Sequence, residues 1–127
     1  MRLRFGFASV ALLASSGAIA ADLLPLTRGI YVREGVRCRG ASNADTMSYW
    51  GGRNGLNVSR AECTIRRFDR RGSVFTLDRR CRELHSGGSF SNRIRISITG
   101  RNAFTLLPPS AAGGRRYLYC GPRVRLR

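Results

Sequence analysis

The chain has 127 residues, 43% of them apolar, and sets 23 basic residues against seven acids for a formal charge of +16. Every basic residue is an arginine, with His85 the sole histidine. This length excludes more than one sizeable domain, and this charge excludes an acidic or neutral surface.

The first twenty residues read as an export leader. Met1-Arg2-Leu3-Arg4 is a basic start, Phe5 to Ala18 is short and apolar, and Ala18-Ile19-Ala20 is an A-x-A cleavage site. Residues 1–20 are therefore expected to leave as a signal peptide, with 21–127 folding as one disulfide-bonded β domain in a bacterial periplasm or outside the cell. No later stretch is apolar enough to cross a bilayer as a helix. Without Arg2 and Arg4, 21 arginines face the seven acids, a formal +14.

The following segments are short, β-branched or aromatic, and punctuated by turn residues, the pattern of an antiparallel all-β domain. Gly29 to Arg37 predicts a first strand and Thr46 to Trp50 a second, with Asn43-Ala44-Asp45 turning between them. Arg53-Asn54-Gly55 predicts a hairpin into a third strand within Leu56 to Phe68, centred on Cys63-Thr64-Ile65. Asp69-Arg70-Arg71-Gly72 reads as a turn, and Ser73 to Cys81 as a fourth strand with Phe75 and Leu77 inward. After a polar loop over His85 to Ser91, Arg93 to Thr99 alternates Ile94, Ile96 and Ile98 with Arg93, Arg95 and Ser97. Gly100-Arg101 suits a two-residue turn into Ala103 to Leu107; Pro108 to Gly114 loops, and Arg116 to Cys120 closes the series. The expected architecture is a meander of about seven strands, joined as neighbours, closing into a small barrel or curled sandwich. Arg123 to Arg127 is left as a frayed tail or a rim strand.

Four cysteines, Cys38, Cys63, Cys81 and Cys120, predict two disulfides in an exported chain. The favoured pairing is Cys38 with Cys63 and Cys81 with Cys120; the nested alternative joins Cys38 to Cys120 and Cys63 to Cys81. No C-x-x-C knuckle, phosphate loop or metal-ligand cluster is present, so neither a metal nor another cofactor is expected.

Strand alternation then places the charge. With the isoleucines inward, Arg66, Arg80, Arg93 and Arg95 point outward on three consecutive strands, Arg70 and Arg71 stand at one end, and Asp78 interrupts the wall. A charged sheet face is often only solvated. Here the arginine excess has no acids to neutralise it, and guanidinium groups fork onto phosphate and carboxylate. The expected partners are lipopolysaccharide, acidic glycans or lipid headgroups, with nucleic acid bound only nonspecifically and a protein partner as an alternative. Aromatic residues (Tyr31, Tyr49, Trp50, Tyr117, Tyr119) offer little stacking surface among these arginines.

The catalytic inventory is thin. Glu62, Arg66 and His85 supply the residue types of a microbial ribonuclease but nothing of its spacing, and a lone loop histidine beside glycines reads as polar surface. Asn57-Val58-Ser59 fits a glycosylation sequon, read as chance in a bacterial chain.

Leu24-Pro25-Leu26-Thr27-Arg28-Gly29-Ile30-Tyr31-Val32, with Cys38, Ala41, Asn43-Ala44 and the closing Tyr117 to Cys120, resembles short exported proteins of alphaproteobacteria whose function is unassigned. In architecture the chain is similar to the small periplasmic β-barrels that inhibit c-type lysozyme. That family's Ser-Gly-x-x-Tyr loop is matched only at Ser86 and Gly87, with Phe90 in the tyrosine place, and its Thr-Lys-Gly loop has no counterpart. A cationic lysozyme would also repel a +14 partner. The resemblance implies the barrel; the leading expectation remains a non-enzymatic protein that binds anionic envelope components. An inhibitor or accessory protein of an extracellular enzyme comes second and a small secreted nuclease third.

Overall fold

The computed structural model describes residues 21–58, 60–109 and 114–123; the leader, the middle of the Pro108 to Gly114 loop and the end of the C-terminal tail lie outside the described residues. Seven antiparallel strands form one curled half-barrel sheet: β1 (Gly29–Arg33), β2 (Thr46–Tyr49), β3 (Ala61–Arg71), β4 (Val74–Glu83), β5 (Ser89–Gly100), β6 (Ala103–Leu107) and β7 (Arg116–Gly121). A single 3-10 turn, Asn43–Asp45, precedes β2. The sheet order is β2-β1-β7-β6-β5-β4-β3.

That order is a meander cut open at one place. Every neighbour pair from β3 to β7, and both pairs made by β1, are antiparallel. Seven strands cannot close with every neighbour antiparallel, because an odd count leaves two adjacent strands running the same way. Here those strands are β2 and β3, so the hairpin expected at Asn54-Gly55 does not form. Instead, residues 53–58 run antiparallel to both edges and fill the seam. Asn57 bridges to Ser48 of β2, and Asn54 bridges to Thr64 of β3. The Asn57 carboxamide oxygen accepts the Cys63 N–H at 2.8 Å and an Asn54 amide hydrogen at 3.0 Å. Gly55 is where the seam strand comes closest, since a side chain there would press on Cys63 and on the Arg79 stem.

Two further turns move by a residue or more. β3 runs straight through Arg71, and the reversal falls on Gly72-Ser73, with Gly72 at φ +59. The β5–β6 turn is Arg101-Asn102, flanked by the paired Gly100 and Ala103.

The core lies inside the curl. Ile94, Ile96 and Ile98 are 7%, 0% and 7% exposed, as the alternation requires, and pack with Phe75, Leu77 and Ile65. Burying a side chain such as Ile96 contributes about 1.5–3 kcal/mol. Tyr31, Phe104 and Tyr117 form an aromatic run with centroids 5.2–5.3 Å apart. The segment before β1 belongs to the same core: Leu24 and Leu26 are buried, and the Leu24 N–H and carbonyl both meet the Tyr49 hydroxyl. Asp22 anchors this segment. Its carboxylate takes a two-pronged bond from Arg28 and the Gly52 N–H at 2.7 Å. A side chain at Gly51, at φ +85, would have to displace the Arg28 guanidinium that lies against it.

The disulfides follow the nested pairing, Cys63–Cys81 and Cys38–Cys120, which corrects the favoured one. Cys63 and Cys81 are direct cross-strand partners on the inner face, with Cα atoms 4.0 Å apart. Cys120 sits at a bulge on β7 where β7 pairs with β1, the strand that leads into Cys38. Cys63 and Cys81 are therefore already committed by the hairpin register. The two disulfides point to an oxidising, extracellular compartment. No helix of the described residues is long and apolar enough to cross a membrane.

Candidate anion-binding face

The outer surface of the sheet is divided. Over β7, β1 and β2, the Cys38–Cys120 bond ties the loop after β1 back to β7; Val32, pointing outward, is only 1% exposed, and Ala41 of that loop is 2% exposed. Over β3, β4 and β5 the outer surface is open and polar.

A β-bulge in β3 sets the charge on that open face. Ile65 pairs with Arg79, and Arg67 with Asp78, so Arg66 is an extra residue. Arg66 and Arg67 therefore both point outward, followed by Asp69 and Arg71. On β4 the outward set is Val74, Thr76, Asp78, Arg80 and Arg82, and on β5 it is Ser89, Ser91, Arg93, Arg95 and Ser97. Of the six expected site arginines, Arg66, Arg71, Arg80, Arg93 and Arg95 share this face. Arg70 does not. Because β3 continues past the expected turn, Arg70 alternates to the inner side, and its guanidinium lies 4.9 Å from the centre of the Phe75 ring.

Two outward arginines escaped the sequence reading. Arg82 lies two residues beyond Arg80 and was within reach of the same alternation. Arg67 depends on the bulge, which no local pattern announces. A third, Arg79, lies in the inward register and is 5% exposed. It donates to the carbonyls of Gly55 and Leu56, both at 2.9 Å, and to the Asn92 carboxamide oxygen at 3.0 Å. Burial pushes its pKa down to about 10, leaving it charged at neutral pH. Its role is to clasp the seam.

The acids on the face are largely spoken for. Asp78 holds Arg93 at 2.6 Å, and Asp69 holds Arg71 at 3.2 Å. The Arg93 guanidinium keeps the Asp78 carboxyl below the usual carboxylate range. Among the described residues, no carboxylate lies within 4.0 Å of Arg66, Arg67, Arg80, Arg82 or Arg95. Shallow hollows run along this face. One gathers Arg66, Arg80 and Arg82 with Thr64, Ser89 and Glu62, the last the cross-strand partner of Arg82. The next adjoins it through Arg66 and adds Arg67, Arg93 and Ser91, with Asp78 in its lining paired to Arg93. A third is lined by Thr76 and Val74 with Arg71 and Arg95, and by Asp69, which is paired with Arg71.

The residue types of the nuclease expectation are divided between hollows. Glu62 and Arg66 line the first, whereas His85 lies with Arg60, Glu83 and Ser86 at the β4–β5 hairpin, where the Ser86 hydroxyl donates to Glu83 at 2.6 Å. Among the described residues, no three His, Cys, Asp or Glu side chains are grouped to hold a metal ion. No protein-family model, curated protein or solved structure matches this chain.

Proposed function

We propose that this is an exported, non-enzymatic bacterial protein of the periplasm or exterior that binds anionic envelope components through the outer face of β3, β4 and β5. The observation that carries the reading is the set of five arginines on that face, Arg66, Arg67, Arg80, Arg82 and Arg95, with no carboxylate partner among the described residues. Side chains on one face of a strand recur about every 6.6 Å, and adjacent strands lie about 4.8 Å apart, so these guanidinium groups form a dense patch. Such a patch attracts anions over a Debye length of about 8–10 Å, and each contact replaces a condensed counterion. The loop-covered half of the barrel provides a built-in contrast.

Chromatography on immobilised heparin, together with lipopolysaccharide binding measured across a salt series, tests this. The expected result is retention at low salt that falls steeply as salt rises, and earlier elution for the triple variant Arg66→Gln, Arg80→Gln, Arg95→Gln. Absence of binding to either ligand at low salt, or an unchanged triple variant, would overturn the reading.

A further inference from the structure

We infer that the ligand of this face is a flexible phosphate polymer laid along β4, rather than a bilayer or a nucleic acid. This rests on the anion-binding reading above and narrows its ligand class. The hollows follow β4 from Arg82 to Thr76, a distance of about 20 Å at roughly 3.3 Å per residue, and Arg66 is common to the first two. Each hollow sets guanidinium groups beside a hydroxyl, from Thr64 and Ser89, from Ser91, or from Thr76, and each also holds one acid, Glu62, Asp78 or Asp69, of which the last two are already paired with Arg93 and Arg71. Forked donors flanked by a hydroxyl match a tetrahedral oxyanion. A single small anion uses one such hollow; a chain of them uses all three.

What the face lacks in its own side chains decides among polyanions. Among the described residues, the exposed large apolar ones are Trp50, Val58, Phe68, Leu84 and Phe90. Phe68 pairs with Leu77, and Phe90 with Cys81, both in inward registers; Trp50 follows the end of β2, Val58 belongs to the seam, and Leu84 to a hairpin tip. Only the half-buried Val74 points outward from β3 to β5, at the far hairpin end. Among the described residues the track therefore holds no ring on which a base stacks and, beyond Val74 in the third hollow, no wedge for acyl chains, the two contacts that single-stranded nucleic acid and membranes reward. The outside of a curled sheet is also convex. A flat bilayer meets only its crest, whereas a thread follows it.

Binding of the full mature protein to tripolyphosphate, long-chain polyphosphate, charge-matched oligothymidylate and phosphatidylglycerol vesicles tests this at one fixed salt concentration. Long-chain polyphosphate is expected to bind at least about tenfold more tightly than tripolyphosphate at equal phosphate concentration, because the linked groups act together. It should also bind more tightly than the oligothymidylate and the vesicles. Arg66→Gln with Arg80→Gln should weaken the long-chain complex about tenfold, and Arg37→Gln with Arg39→Gln, in the loop after β1, should leave it unchanged. Equal affinity per phosphate for short and long chains, tighter binding to DNA or vesicles, or an equal effect of the two double variants would overturn the inference while leaving an anion-binding face. Loss of binding to every anion would remove both.

Discussion

The Arg79 guanidinium donates to the Gly55 carbonyl at 2.9 Å across the line where the barrel fails to close. The cation has no carboxylate partner within 4.0 Å among the described residues, so its burial is offset by three neutral acceptors. Without that clasp, the seam strand would keep its short bridges to β2 and β3 and the side-chain bonds of Arg53 and Asn57 to β3, but would lose its tie to β4. Arg79→Met should therefore destabilise the fold by about 2 kcal/mol, since each buried acceptor left unpaired costs about 1–3 kcal/mol and removal of the buried charge returns part of it. Urea denaturation checks this. A variant as stable as the parent would show that the arginine is tolerated rather than needed.

The two disulfides should differ in weight. Cys38–Cys120 closes a separation of 82 residues, and Cys63–Cys81 one of 18. In the chain-entropy model these are worth about 4.5 and about 3 kcal/mol. Replacing each pair by alanine and comparing urea midpoints should rank the long-range bond first. The reverse order would mean that the packing of Cys63 and Cys81 with Ala61 outweighs loop closure.

Asp78 occupies Arg93 with both carboxylate oxygens, at 2.6 and 3.3 Å, and on the proposed anion-binding function it would act as a brake on the arginine face. Asp78→Asn adds one net positive charge and releases that guanidinium. The heparin complex should tighten about threefold at low salt, with a steeper salt slope. Weaker binding would mean instead that Asp78 holds Arg93 in its working position.

Acid should loosen the segment that leads into β1. The bonds from Arg28 and Gly52 keep the Asp22 carboxyl below the usual carboxylate range. With the folded pKa lower than the unfolded one, the unfolded chain takes up the proton first, so the stabilisation is complete above about pH 4 and is lost as pH falls further. Thermal midpoints of the parent and of Asp22→Asn should differ at about pH 5 and converge towards about pH 2. A constant gap would exclude the ion pair as its source.

Gly51→Ala attacks the same anchor from the other side. The residue has φ +85, and a side chain there meets the Arg28 guanidinium, so the substitution should cost about 1 kcal/mol or more. Combined with Asp22→Asn, the loss should be less than additive, as expected for groups that share one contact. Full additivity in a double-mutant cycle would place the strain in the backbone alone.

Much of the site was legible from alternation. Once Ile94, Ile96 and Ile98 turn inward, Arg93 and Arg95 must turn out, and Phe75 and Leu77 do the same for Arg80 and, by extension, Arg82. Period-two patterns survive into the fold because a strand has only two faces and water competes for one of them. Arg70 and Arg67 illustrate the limit. One expected turn misplaced by two residues and one bulge in β3 exchange their sides. Asp69-Arg70-Arg71-Gly72 offers good turn chemistry, yet the pairing of Arg70 with Phe75 and of Arg71 with Val74 overrides it. The seam was half legible, since an odd number of antiparallel strands must leave one pair running in parallel, but no local rule names β2 and β3.

Composition and pattern alone settled that this chain is a disulfide-bonded β-meander with apolar residues inside and arginines outside, because hydrophobic alternation and an even cysteine count act within a few residues or on the chain as a whole. The tertiary structure decided which cysteines meet, where the sheet stays open, that Arg79 is spent on the seam, and that Arg66 and Arg67 stand side by side. These outcomes depend on register between strands far apart in sequence. A one-residue slip there changes the face of every side chain beyond it, so only the packed whole selects among them.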